Sequence, residues 1–163
     1  MKTLLLLRHA KSSHKHPELP DHDRPLNKRG QLAAPRMGAL LVAEGLVPDL
    51  IVCSTAARAR ATAGLVAQAC GYAGEVRPAP QLYLAGPAAY LDVLRGLTGE
   101  YERVLVVGHN PGLEALVEAL TGETVVMPTA ALAQVTLSLS NWWDLTDDFQ
   151  GRLANIWLPK GLA

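Results

Sequence analysis

Four consecutive leucines, Leu4 to Leu7, stop abruptly at Arg8-His9. An unbroken apolar run bounded by charge predicts a strand buried on both faces, as in a parallel sheet covered by helices. The Arg-His pair then stands at the carboxyl end of that strand, the edge of an open α/β sheet where ligands bind. The arrangement recurs further along, where Val104 to Val107 runs into Gly108-His109-Asn110-Pro111-Gly112. Two histidines at the mouths of two buried strands constrain both the fold and the chemistry.

The chain between them alternates strand and helix signals. Residues 10–27 have no period and predict a long loop beside the first histidine, the kind of segment that serves as a lid or binding loop. Asn27 is placed to cap a helix from about Lys28 to Glu44, with Leu32, Met37, Leu40 and Leu41 on its apolar face and Gly45 closing it. Pro35 predicts a kink or a late start. Asp49 to Cys53 reads as a second buried strand ending at Ser54-Thr55, followed by an alanine-rich helix to about Ala69 that Gly71 ends. Glu75 to Arg77 is a candidate third strand, which Pro78 and Pro80 would bring to an end. Pro87 opens a helix to about Leu97, Arg103 to Val107 is the next strand, and Asn110-Pro111 predicts a cap followed by a first-turn proline for a helix to Leu120. This alternation predicts an α/β fold of three layers, a mostly parallel sheet flanked by helices on both faces. The last quarter differs. Leu132 to Leu139 alternates apolar and polar, Leu153 to Leu158 is a shorter β-type run, and together they predict a hairpin at the sheet edge. The acidic, aromatic stretch Trp142 to Asp148 lies between them, and the tryptophan pair is either packing for that hairpin or a partner-binding patch.

The length of 163 residues, without repeats or linkers, predicts one domain over 1–163. Net charge is zero, yet residues 1–36 carry eight Lys/Arg against three Asp/Glu and hold four of the five histidines. A basic first quarter on a neutral chain indicates a local anion site rather than a nucleic-acid surface. Cys53 and Cys70 have neither metal-type spacing nor a disulfide framework and read as reduced, buried thiols. Neither a signal-peptide pattern nor a run of transmembrane length is evident, so the expectation is a cytoplasmic protein without a membrane partner.

Three strand ends therefore offer polar groups to one edge: Arg8 and His9, Ser54 with Arg58 in the following first turn, and His109. Arginine forks and a helix N-terminus suit a phosphate. Histidine accepts a phosphoryl group as a nucleophile, and two arginines with a second histidine would share the charge on the phosphoryl oxygens. The combination indicates phosphoryl transfer through a phosphohistidine.

The same residues carry a family resemblance. Arg8-His9-Ala10-Lys11-Ser12 resembles the Arg-His signature of the histidine phosphatase superfamily. Ser54 to Ala63 resembles its second block and Val107 to Pro111 its third. The run Arg24-Pro25-Leu26-Asn27-Lys28-Arg29-Gly30 and the short length resemble the SixA-like phosphohistidine phosphatase branch. The resemblance implies a phosphoglycerate-mutase-like fold, with His9 as the phosphorylated nucleophile and Arg8, Arg58 and His109 completing the phosphate pocket. Lys11, Ser12 and Ser54 are further substrate-binding candidates. No cofactor and no metal are expected. The implied substrate is a phosphohistidine on a protein, such as a phosphotransfer domain, in signal transduction.

One departure from the wider family matters. Many members take a proton donor from an acid after the third strand, and here that stretch is Pro80-Gln81-Leu82-Tyr83-Leu84, without a carboxylate. Ester hydrolysis needs such an acid to protonate the leaving oxygen. A phosphoramidate, whose leaving nitrogen is readily protonated, needs it less. Asp21 or Asp23 in the loop is the alternative donor. The competing readings are a small-molecule phosphate monoesterase on the same fold and a non-catalytic phosphate- or phosphoprotein-binding module. Cys53 and Arg58 have one residue too few between them for a cysteine phosphatase loop. His14, His16, Asp21, His22 and Asp23 match no recognised metal spacing.

Overall fold

A computed structural model describes residues 1–161. The leucine run forms strand β1, Lys2–Arg8. After it come α1, Lys28–Ala43; β2, Leu50–Cys53; α2, Ala57–Cys70; β3, Val76–Pro78; and α3, Pro87–Arg95. The chain continues with β4, Arg103–Gly108; α4, Gly112–Thr121; β5, Leu132–Leu137; and β6, Arg152–Trp157. The six strands make one sheet in the order β3-β2-β4-β1-β5-β6. β3, β2, β4 and β1 run parallel, whereas β5 pairs antiparallel with β1 and β6 antiparallel with β5. The sheet is thus α/β and mostly parallel, with the antiparallel pair at one edge.

Period-two alternation explains why the central strands are apolar throughout. Leu4, Leu6, Val52, Val104 and Val106 face a core completed by α3, α4 and Trp142. Leu5, Leu7, Ile51, Cys53, Leu105 and Val107 face a second core completed by α1 and α2. Both sides are covered, so every position of β1 from Leu4 to Leu7 is buried. Cys53 and Cys70 are free and buried.

Several local expectations change once the packing is known. Asn27 does cap α1, its side chain accepting from the Gly30 amide at 2.9 Å. The buried face of α1, however, is Gly30, Ala34, Met37, Gly38 and Leu41. Leu32 is 63% exposed. Gly38 lies so close to Val66 and Ala69 of α2 that the two helices meet there through small residues, with Met37 and Leu41 buried on the same face and Leu32 outside it. Helix α1 runs on through Pro35. Pro78 belongs to β3 rather than breaking it, opposite Cys53 on an edge strand where a missing N–H is tolerated. Asn110 does not cap α4. The helix starts at Gly112 behind Pro111, and the Asn110 amide donates instead to the Met127 carbonyl at 2.8 Å. The tryptophan pair divides: Trp142 is fully buried beneath α3 with its indole N–H on the Tyr101 carbonyl (2.7 Å), while Trp143 is exposed. Among the described residues no helix is long and apolar enough to cross a membrane.

Gly30 ties α1 to the end of β1. The Asn27 amide donates to the Lys11 carbonyl at 3.0 Å, and a Cβ on Gly30 would run into the Lys11 backbone. Gly30→Ala is therefore expected to cost about 1–3 kcal/mol in urea denaturation, because the crowding is against backbone rather than a flexible side chain. An unchanged midpoint would contradict this close approach.

Candidate active site

The parallel register of β1 and β4 pairs Leu7 with Val107 and Arg8 with Gly108, so His9 and His109 leave the sheet side by side. Their ring centroids are 5.1 Å apart. His9 is buried, and its Nδ1 lies 2.8 Å from the Ala10 carbonyl. A carbonyl only accepts, so Nδ1 carries the hydrogen and Nε2 keeps the lone pair. The Ala10 amide in turn donates to the Thr62 hydroxyl of α2, which donates to the Arg58 carbonyl.

His109 is held from two sides. Its amide donates to the Tyr90 hydroxyl at 3.2 Å, an approach possible because Gly108 has no Cβ to meet that ring. Its Nε2 is 2.8 Å from Ser54 Oγ, which also accepts from the Ala56 amide at 3.3 Å. When the Ser54 hydroxyl donates to Nε2, the ring proton sits on Nδ1, which is buried without a protein partner among the described residues. Ser54, expected among the phosphate ligands, does not line the cavity. It is fully buried behind His109 and orients that ring.

Arg8 donates to the Met127 carbonyl at 3.1 Å, leaving its Nε buried and unpartnered. Arg58, 3% exposed in the first turn of α2, donates Nη1 to the Asp21 carbonyl (2.8 Å) and Nη2 to Asp21 Oδ2 (3.0 Å). Asp21 also accepts from the Tyr83 hydroxyl and from Arg24 Nε. The Tyr83 hydrogen bond first, and Arg58 and Arg24 with it, hold the Asp21 carboxyl far below the ordinary carboxylate range. The same bond raises the Tyr83 phenol. Asp21 is therefore ionised and braces Arg58; it has no proton to give. Asp23 is exposed beside His22, whose Nε2 meets the Thr55 hydroxyl at 2.9 Å.

These groups surround a cavity of about 230 Å³ lined by Arg8, His9, Lys11, Ser12, His14, Arg24, Arg58, Leu84, His109, Asn110 and Thr129. Arg24, which the sequence offered only as part of a signature run, reaches it through a bond from Nη1 to Ser12 Oγ (2.9 Å), beside the antiparallel bridge of Ser12 with Leu26. The candidate ligands His14, His16, Asp21, His22 and Asp23 are not gathered as a metal site: among the described residues no three His, Cys, Asp or Glu side chains come together for one.

Burial first, and the nearby arginines second, lower the His9 pKa from 6.5 to about 4. Burial, His9 and Arg58 lower that of His109 to about 3. Both rings are neutral at ordinary pH. The cavity thus combines fixed cations, a lone pair on His9 Nε2 and, in the tautomer with Ser54 donating to Nε2, a donor on His109 Nδ1, the equipment to hold a dianionic phosphoryl group and attack it.

Comparisons with known proteins identify the family and the fold. The sequence model of the histidine phosphatase superfamily (branch 1) matches residues 4–82, and the chain belongs to that superfamily. Its structure is SixA-like. The crystal structure of an Agrobacterium tumefaciens protein assigned as the phosphohistidine phosphatase SixA is similar at 32% identity and a TM-score of 0.82, over 97% of this chain and 98% of the other. The protein histidine phosphatase SixA complexed with tungstate shares the fold, at a TM-score of 0.84 and 24% identity over 98% of each chain. An uncharacterized protein of Mycobacterium leprae is 34% identical over 167 residues, 94% of this chain and 100% of its own length.

The histidine shifts have a consequence for stability. In the unfolded chain both rings protonate near 6.5, whereas in the folded protein they do so only near 4 and 3. Between those values the unfolded state binds more protons, so stability is full above about pH 6.5 and falls as pH drops toward 4. Urea denaturation at pH 7, 5.5 and 4.5 should show this loss, and a His9→Gln/His109→Gln variant should lose much of the slope. The same slope in both proteins would overturn the assignment of neutral rings.

Proposed function

We propose that this chain is a metal-independent phosphatase that removes phosphate from phosphohistidine on a protein, by way of a covalent phosphohistidine at its own His9. One observation carries the choice of substrate: among the described residues no carboxylate lines the cavity, and Asp21, the loop acid bound to Arg58, is ionised. A phosphate ester leaves as an alkoxide and needs a proton from an acid at that point. A phosphorylated imidazole leaves as neutral imidazole when its other ring nitrogen carries a hydrogen, so no enzymatic acid is required.

The reaction has two steps. The Nε2 lone pair of His9 attacks phosphorus, the bond from phosphorus to the substrate nitrogen breaks, and that electron pair stays on the departing imidazole. Water then attacks phosphorus on His9, the phosphorus–Nε2 bond breaks with its electron pair returning to Nε2, and the water's protons leave with the inorganic phosphate, which exchanges them with solvent. Arg8 and Arg58 bind the phosphoryl oxygens throughout, and His109 Nδ1 donates to them as charge builds in each transition state. The bond from His9 Nδ1 to Ala10 holds the nucleophilic ring in one tautomer through both steps. Lys11, Ser12 and Arg24 shape the mouth.

The test compares a phosphohistidine-bearing protein with an alkyl phosphate ester, with and without a chelator, in wild type and His9→Ala. The phosphohistidine should be preferred in kcat/KM by at least about 100-fold, the usual value of a missing general acid. Turnover should survive the chelator and vanish in the variant. Efficient, His9-dependent turnover of the alkyl ester would instead favour a monoesterase, and loss of activity with chelator would contradict a metal-independent reaction.

A further inference from the structure

Helix α1 has a second face that the core does not use. Arg29, Leu32, Ala33 and Arg36 fall at i, i+3, i+4 and i+7, a single stripe on a helix. The stripe forms one wall of a groove of about 270 Å³; Pro128 and Thr129, and the segment Leu158 to Lys160 after β6, form the rest. Its floor is apolar, with Leu32 63% and Leu158 43% exposed. Its rim is cationic, carrying Lys11, Arg29, Arg36 and Lys160, with no carboxylate among its lining residues. Among the described residues none of these four cations forms an ion pair. The groove adjoins the catalytic cavity, since Lys11 and Thr129 line both.

We propose that this groove docks the acidic, leucine-bearing surface of the substrate protein next to its phosphohistidine. The inference rests on the preceding functional reading and adds the partner's chemistry to it. A phosphate held by His9 brings the flanking part of its carrier over Lys11 and onto the α1 stripe. Four cations around an exposed apolar floor complement carboxylates set about one apolar side chain, as on the outer face of an amphipathic acidic helix. A free phosphoamino acid would fill the catalytic cavity and leave the groove untouched. Selectivity among phosphohistidine proteins would then reside in α1, outside the catalytic residues. The exposure of Leu32, which the helical spacing predicts to be core, reflects this division of α1 into two faces.

The test uses chemically phosphorylated histidine peptides with Glu/Leu flanks or with Lys/Ser flanks, free phosphohistidine, and a fluorescent Glu/Leu peptide without phosphate. The variants are Arg29→Glu/Arg36→Glu and, separately, Leu32→Ser, all exposed positions outside the catalytic cavity. Wild type should prefer the Glu/Leu peptide, and its KM should rise with salt. The charge reversal should raise that KM by about tenfold, the effect of two exposed ion pairs, with kcat unchanged. Leu32→Ser should raise it less and leave the salt dependence in place. Free phosphohistidine should be hydrolysed equally by all three proteins. Equal kcat/KM for the two peptides, or no effect of the charge reversal, would overturn the proposal. If no phosphohistidine is hydrolysed at all, the functional reading fails alone; anisotropy of the unphosphorylated Glu/Leu peptide still decides the groove. Binding lost in the charge reversal supports it, and absent binding or binding unchanged in that variant refutes it.

Discussion

The parallel ladder between β1 and β4 is the constraint on which the site depends. Arg8 is opposite Gly108, so both chains leave the sheet at the same level and place two histidines at neighbouring strand ends. Everything else either covers that ladder or refines the two rings. The alternating leucines and valines bury it on both faces. The absence of a Cβ at Gly108 admits Tyr90 beneath His109, and the Ser54 hydroxyl at the end of β2 secures the opposite side of the ring. A shift of one residue in the register would turn one histidine to the other face of the sheet.

Electrostatics then decides what the rings can do. The deep burial of His9 first, and three arginines near it, disfavour imidazolium, which keeps that ring unprotonated as the proposed nucleophile requires. The cost of gathering these cations is offset in part by Asp21, which pairs with Arg58 and Arg24 from outside the cavity. Placing the carboxylate there, rather than among the cavity-lining residues, leaves the cavity's cations facing one another without a carboxylate between them, the field on which the proposed preference for phosphohistidine rests. Tyr83 contributes through its hydroxyl to holding Asp21 ionised.

The sheet and the meeting of the four candidate site residues were legible because each rests on a local signal: a buried apolar run, a charged pair after it, a helix start. His9, Arg8, Arg58 and His109 lie within or directly after such elements, and the structure brings them together around one cavity. The features that were not legible depend on contacts distant in sequence. Asp21 was a candidate proton donor until its partners in α2 and at Tyr83 were known. Ser54 had the chemistry of a phosphate ligand, but its place behind His109 is set by a strand 55 residues away. Arg24 enters the cavity by pairing with Ser12 across the loop. Leu32 fitted the helical spacing of a core residue, and only the tight glycine-alanine contact of α1 with α2 shows that the core face lies elsewhere. Trp142 and Trp143 look alike in sequence and differ in burial because only one can reach the space beneath α3.

The central claim is that His9 Nε2 becomes phosphorylated during turnover. The direct measurement is to mix the protein with phosphoramidate, a minimal phosphorus–nitrogen donor, quench in alkali, and locate the phosphate by mass spectrometry and phosphorus NMR. The account predicts one acid-labile, alkali-stable phosphoryl group on Nε2 of His9, formed within the turnover time and absent from His9→Ala. Phosphate on another residue, or turnover with no phosphorylated protein at any time, would contradict it.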